Sequence, residues 1–331
     1  MKTTLGILAI AALISCNTGS KPAAGADQQN GDENNPPDFR ISLAQWSLHR
    51  TYFGGSIQDW VEFGRLMKES PDDVLKGDQD PFDFPRVAAG YGIDCIELVN
   101  TFYYSKANDQ AYWERFKQHC DEAGVTVGLI MCDELGDLGN ADEAERVAAV
   151  EAHYPWVEIA KLLGAHSIRV NARGIGTREE VAANAAHGLS MLGKYGATRG
   201  INILVENHGG YSSDGKWLAM VMEKVGMDNV GTLPDFGNFC IESGPDGCIE
   251  EYDRYQGMTD LMPFAKGVSA KSHDFDEQGN EVDSDFYRIM KIVKESGFKG
   301  YVGIEYEGSQ LSENEGIKAT KALLEKVLED L

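Results

Sequence analysis

Four apolar runs in the 331-residue chain end in side chains that ionise or bind cations. The run at residues 202–208, NILVENH, closes with Glu206, Asn207 and His208. GTLPD closes at Asp235, VSAKSH carries Lys271 and His273, and VGIE closes at Glu305. A single carboxylate after an apolar run is most often a solvated loop residue or a helix cap. Four such polar ends in succession, three of them carboxylates, point to a common centre when the runs are neighbouring parallel strands, whose carboxyl ends form one face. Oxygen donors with at most one imidazole suit Mn²⁺ or Mg²⁺, with Co²⁺ possible, whereas zinc favours more nitrogen and sulfur. A cation of this kind chelates adjacent carbonyl and hydroxyl oxygens and stabilises an enediolate. Glu206 and Glu305 are then the pair that removes and returns a proton beside the carbonyl. Return to the opposite face epimerises, while loss of a β-substituent from the same enolate is an elimination.

These residues need a frame that brings strand ends together. From residue 39 onward, helical stretches end near a glycine and a short apolar run follows. Gly92, Gly124, Gly164, Gly200, Gly267 and Gly300 mark the junctions, glycine being favoured just past a helix end. Strands are predicted at residues 41–46, 93–98, 125–131, 166–170, 202–205, 230–234, 268–271 and 301–304, with helices between them. That alternation implies parallel βα units, and eight of them fit a (β/α)8 TIM barrel. An open doubly wound sheet is the alternative, but no Gly-rich phosphate loop follows the first strand. Helices are clearest at 141–163, where Pro155 should kink or divide the pattern, and at 178–195. Ser312 and Glu315 form a capping box that opens the last helix. The connection 51–85 is too long for a simple loop, and a helix is predicted within it at 57–68. It reads equally as a substrate wall or as a decorative insertion.

Residues 1–16 read as a lipoprotein signal peptide, with Lys2, a short apolar stretch and Leu-Ile-Ser-Cys at its end. Cys16 is the expected lipidation site, and a plain secretory signal is the alternative. Residues 17–38 read as a flexible tether and residues 39–331 as the catalytic barrel. The expected location is therefore that of an exported bacterial lipoprotein, periplasmic or anchored to the outer membrane, with membrane contact only through the lipid. Net charge of −23 argues against nucleic acid as a partner. Hydrophobic content of 42% suffices for a large core. Among the remaining cysteines, Cys95 and Cys132 sit in strand-like runs, and Cys240 and Cys248 are close enough in sequence to pair. No zinc-type spacing is present.

LVENHGG, GTLPDFGNF and GIEYEG resemble the sugar phosphate isomerase/epimerase family, the xylose-isomerase-like TIM barrels, over residues 39–331. The resemblance implies Glu206, Asp235 and Glu305 as ligands of one divalent metal, and Glu206 and Glu305 as paired acid and base. It places Asn238 where relatives often contact substrate. Many relatives read His-x-Lys-Asp on the seventh strand, whereas this chain reads Lys271-Ser272-His273-Asp274. His273 is the expected fourth ligand, since i and i+2 share a strand face, and otherwise Lys271 contacts substrate. His208, Arg169, Glu97 and Trp46 are further expected substrate contacts, the last by stacking on a sugar ring, with Gln45, His49 and Asn171 nearby. The resulting expectation is a metal-dependent sugar isomerase or epimerase. A lyase or hydrolase on 3-keto-glycosides is the near alternative, and a non-catalytic sugar-binding lipoprotein is the third. Export disfavours phosphorylated sugars and favours free, oligomeric or oxidised ones.

Overall fold

The computed structural model describes residues 38–331. The predicted signal peptide, the lipidation site Cys16 and all but the end of the predicted tether lie outside the described residues. Eight parallel strands form the sheet: β1 (Phe39–Ala44), β2 (Cys95–Val99), β3 (Thr126–Met131), β4 (Ser167–Val170), β5 (Asn202–Glu206), β6 (Val230–Leu233), β7 (Val268–Ser272) and β8 (Gly300–Tyr306). Hydrogen bonding runs β6-β5-β4-β3-β2-β1-β8-β7. The ring closes where β6 meets β7 through Phe236 N to Ser269 O at 3.0 Å and Ser269 N to Pro234 O at 2.9 Å. The expected (β/α)8 TIM barrel is therefore what forms.

The strands are buried on both faces, as parallel strands covered by helices must be. Leu129, Leu204 and Leu233 pack inside the barrel around Gly267, where an added Cβ would lie 2.9 Å from Leu233. Gly267 is thus a packing glycine rather than the expected helix cap. Gly300 likewise opens β8, and the left-handed residue that ends the preceding helix is Gly297, at φ 78°. Pro155 divides its helix as expected: Glu143–Ala152 stops and Tyr154–Leu163 restarts with the proline in its first turn, where no amide donor is needed. The expected capping box of Ser312 with Glu315 is formed, and a second, Thr177 with Glu180, opens the helix Arg178–Ala197.

Two features depart from a plain barrel. An antiparallel hairpin, Cys240–Gly244 with Gly247–Glu251, follows β6, and Cys240 and Cys248 form a disulfide across it. Cys95, Cys120 and Cys132 are free and buried. The long first connection folds into several short turns and one amphipathic helix, Trp60–Glu69, capped by Asp59. Among the described residues no helix is long and apolar enough to cross a membrane.

Candidate active site

Strand alternation turns every second side chain inward, and the last inward residue of each strand faces its neighbours across the mouth. Register sets Glu305 beside Lys271, and Asp235 bridges to Ser269. Glu206, Asp235 and Glu305 each bring a carboxylate oxygen within 4.8 Å of the other two, and all three are buried. Asn207 takes no part in this group. Its amide donates to the carbonyls of Asp235 and Asn238 at 3.0 and 3.1 Å and accepts from Asp235 N at 2.7 Å, so it clamps the end of β6 to that of β5.

Each carboxylate is held differently. Asp235 Oδ1 accepts from the amides of Gly237 and Asn238 at 2.8 Å each, and Oδ2 accepts from Ser269 Oγ at 2.7 Å. Glu206 Oε1 accepts from Asn238 Nδ2 at 2.9 Å, so Asn238 orients a carboxylate. Glu206 Oε2 lies 2.7 Å from Arg169 Nε, yet the N–H is not aimed at it and neither atom makes a hydrogen bond. Arg169 Nη1 donates to Asp133 Oδ1 at 2.7 Å, which also accepts from Asn171 Nδ2 at 2.7 Å. Lys271 Nζ sits 3.1 Å from Glu305 Oε1 and 3.3 Å from Glu307 Oε1. Trp46 Nε1 donates to the same Glu307 oxygen.

Burial drives the proton affinities. Desolvation pushes Glu206 and Glu305 up to about 7 and Asp235 to about 6, against the pull of Arg169 and Lys271. Burial opposes the charge on Lys271, but Glu307 and Glu305 outweigh it and keep the ammonium protonated. Glu307 is pulled down to about 2 because Lys271 overrides its desolvation. His208 is depressed to about 3, chiefly by burial and the Arg169 guanidinium. Arg173 Nη2 donates to its Nδ1 at 2.9 Å, so the imidazole is neutral and its proton resides on Nε2.

The expected fourth ligand, His273, is displaced from this group. β7 ends at Ser272, and the chain then turns into a hairpin bridged by Phe275 and Glu281. The alternation that carried Lys271 inward therefore no longer applies two residues later. His273 Nδ1 instead lies 3.8 Å from Asp283, with its side chain 39% exposed, and it groups with Glu281 and Asp283. Lys271 is the seventh-strand side chain that reaches the carboxylates.

A cavity of about 380 Å³ opens over the group, lined by Trp46, Arg169, His208, Glu305 and Glu307 among others. Trp46 stacks on His49 with ring centroids 5.1 Å apart, which fixes the indole plane. Gln45 turns into the core and binds Tyr103 and Val99 N. Glu97 is 2% exposed and does not line the cavity. One oxygen accepts from Ser42 Oγ at 2.6 Å, the other has no partner, and the place where a Gly303 Cβ would sit is 2.5 Å away. Sequence reasoning passed over Asp133, although it follows β3 as Asp235 follows β6. Arg173, Trp60 and Phe63 also line the cavity and carried no local signal.

Burial holds the Glu97 carboxyl at about 7. Its folded-state affinity for a proton exceeds that in the unfolded chain, so the stabilisation is complete at acid pH and is lost as pH rises toward 7. Glu97→Gln should abolish that loss, on the order of 3 kcal/mol. Urea denaturation at pH 5 and pH 8 checks it, and equal pH slopes for variant and wild type would refute it.

The profile of the Xylose isomerase-like TIM barrel family matches residues 85–327, and the chain belongs to that family. Among solved structures it is similar to 3-keto-D-glucoside 4-epimerase from E. coli, with TM-score 0.60, 16% identity, and coverage of 75% of this chain and 95% of that one. It is also similar to a xylose isomerase-like TIM barrel protein from Mycobacterium smegmatis in complex with magnesium, with TM-score 0.56, 17% identity, and coverage of 80% and 90%. At these identities the likeness establishes the fold. A 77-residue stretch is 35% identical to the C-glycoside deglycosidase alpha subunit of Arthrobacter globiformis, spanning 22% of each chain.

Proposed function

We propose that the chain is a divalent-metal-dependent sugar isomerase or epimerase that acts at a carbon beside a carbonyl. The observation that carries this reading is the buried group of Glu206, Asp235 and Glu305. The group also suits a cation. Glu305 Oε2 is buried without a hydrogen-bond partner, and Glu206 Oε2 has only the unaligned Arg169 Nε beside it, a state that a coordinated ion would relieve. Glu206, Asp235 and Glu305 would hold Mn²⁺ or Mg²⁺, with Co²⁺ possible. Such an ion, when bound, supplies Lewis acidity to the oxygens of the substrate.

The chain's own residues supply the proton chemistry. Glu305 lines the cavity and takes the proton alpha to the carbonyl, and the C–H electron pair moves onto the carbonyl oxygen. Lys271, held protonated between Glu305 and Glu307, places positive charge beside that developing negative charge. Glu206 is the second acid/base group, with Arg169 holding its carboxylate in place. A proton delivered to the opposite face inverts the centre. His208 offers its Nε2 proton to a hydroxyl, and Trp46 offers an aromatic face to the sugar ring.

A second reading, elimination from a 3-keto-glycoside, draws on the deglycosidase relative. There the enolate oxygen re-forms the C=O bond, the enolate C=C pair shifts to make a new double bond to the β-carbon, and the bond to the β-substituent breaks as that group takes a proton from Glu206. An exported protein anchored through Cys16 would meet free or oxidised sugars, consistent with either outcome.

Proton NMR in D₂O tests the proposal. Free and 3-keto sugars are incubated with the protein and Mn²⁺ or Mg²⁺, and in parallel with EDTA, and spectra are taken after chelation. The expected result is cation-dependent deuterium incorporation beside the carbonyl, with the product distinguishing epimerisation from elimination. No exchange with any sugar would overturn the enzymatic reading in favour of a sugar-binding lipoprotein.

A further inference from the structure

One wall of the cavity belongs to no strand end. Helix Trp60–Glu69, from the long first connection, contributes Trp60, Phe63 and Gly64 to the lining. These positions are i, i+3 and i+4, so they form one helix face. Phe63 is anchored, meeting Phe53 edge-on at 5.0 Å. Trp60 meets Phe63 edge-on at 5.3 Å, yet stays 58% exposed. An aromatic ladder therefore climbs from Trp46, beside the carboxylates, through Phe53 and Phe63 to Trp60 at the lip.

Gly64 is the telling residue. It lies within the helix, where glycine weakens the structure relative to nearly every other residue. Its backbone does not need glycine, since its φ is not positive, and a Cβ built on it would meet nothing within 4 Å. No packing contact requires its smallness. On a cavity wall, the missing side chain leaves room for a ligand to approach the backbone. The other lining residues include Asp133, Arg169, Arg173 and His208, whereas Trp60, Phe63 and Gly64 offer hydroxyls a single donor, the indole N–H of Trp60.

We propose that this face is a subsite for the aglycone of a glycoside. A flat aromatic group lies against Trp60 and over Gly64 while the sugar ring rests at Trp46 and the carboxylates. The inference rests on the proposed function in taking the ring at Trp46 to be a sugar, and it narrows the substrate class to aryl glycosides or their oxidised forms. A second sugar ring is the competing occupant, and its several hydroxyls would find only one donor on this wall, Trp60 Nε1.

Calorimetry on the full chain tests the subsite by binding alone, with 4-nitrophenyl β-glucoside, methyl β-glucoside and cellobiose as probes. The aryl glucoside should bind at least about tenfold more tightly than either of the others, as one aromatic stack allows. Trp60→Ala and Gly64→Leu should each bring the aryl glucoside to within about twofold of methyl glucoside, whose own affinity stays unchanged. Leucine favours a helix over glycine, so a loss in Gly64→Leu reports filled space and not misfolding. Equal affinity for aryl and methyl glucosides, cellobiose matching the aryl glucoside, no binding of the aryl glucoside at millimolar concentration, or an intact preference in Gly64→Leu would each overturn the subsite. Because binding needs no turnover, aryl preference without deuterium exchange would sustain the subsite and sink the enolising enzyme. Exchange without aryl preference would do the reverse.

Discussion

Glu305→Gln should lower the rate of solvent-proton exchange by about 10²–10⁴-fold, the range for loss of a positioned general base. Glutamine matches the shape but cannot accept the proton. It also replaces a carboxylate 3.1 Å from the Lys271 ammonium by a neutral amide, so the charge beside the reacting carbonyl is repositioned as well. Folding should survive, because burial already pushes this carboxyl up to about 7 and a neutral side chain avoids the cost of ionising it there. The two readouts therefore separate: exchange collapses while the melting temperature holds or rises. Glu307→Gln serves as the control. It disturbs Lys271 and Trp46 but leaves both acid/base groups, so its effect on exchange should be about tenfold smaller. An exchange rate for Glu305→Gln within about threefold of wild type would remove Glu305 from the chemistry.

Arg169→Met should have the largest effect on stability, about 3–5 kcal/mol, the usual result of removing one partner from a buried ion pair. Arg169 is 4% exposed and neutralises two carboxylates, Asp133 and Glu206, at 2.7 Å each. Desolvation alone would raise the proton affinity of Asp133, but Arg169 and His208 hold its carboxyl well below the ordinary range. A folded-state affinity held that low stabilises the protein above the unfolded value, and the contribution disappears as pH falls. Without the guanidinium the sign reverses, and Asp133 must be protonated to stay buried. The variant should therefore gain more stability than wild type as pH is lowered toward 5, because Asp133 adds to the gain that Glu97, Glu206 and Glu305 give both proteins. Thermal melts at pH 5 and pH 8 check this, with a drop of about 10 °C expected at pH 8. Arg169→Lys should fall between the two, since a single ammonium cannot reach both carboxylates with the geometry of a guanidinium. A loss below about 1 kcal/mol in Arg169→Met would show that the pair is not under strain of desolvation.

The strand and helix pattern was legible because local rules wrote it. Apolar runs marked all eight strands to within a few residues, those of β2 to β5 directly after the left-handed glycines Gly92, Gly124, Gly164 and Gly200, while Pro155 announced a break and Ser312 a cap. Glu206, Asp235 and Glu305 were legible for the same reason: Glu206 and Glu305 stand at the ends of their strands and Asp235 two residues past its own, where alternation decides which way a side chain faces. Lys271 against His273 was not legible, because the choice depends on where β7 stops, and a hairpin formed by residues beyond it sets that point. Glycine 267 was misread as a cap because local sequence does not reveal that Leu233 packs against it.

What the sequence determined by itself was the alternation of elements and the set of acids at strand ends, since both follow from periods of two and of about 3.6 residues within a single segment. Tertiary structure decided which of those side chains meet. Trp46 donates to Glu307 across 261 residues, and Arg169 lies between Asp133 and Glu206. It also brought helix Trp60–Glu69 from an insertion of unclear purpose to the cavity wall. Ring closure juxtaposes segments remote in the chain, and no local period records the partner a side chain will find, or how far burial will shift its proton affinity once it is there.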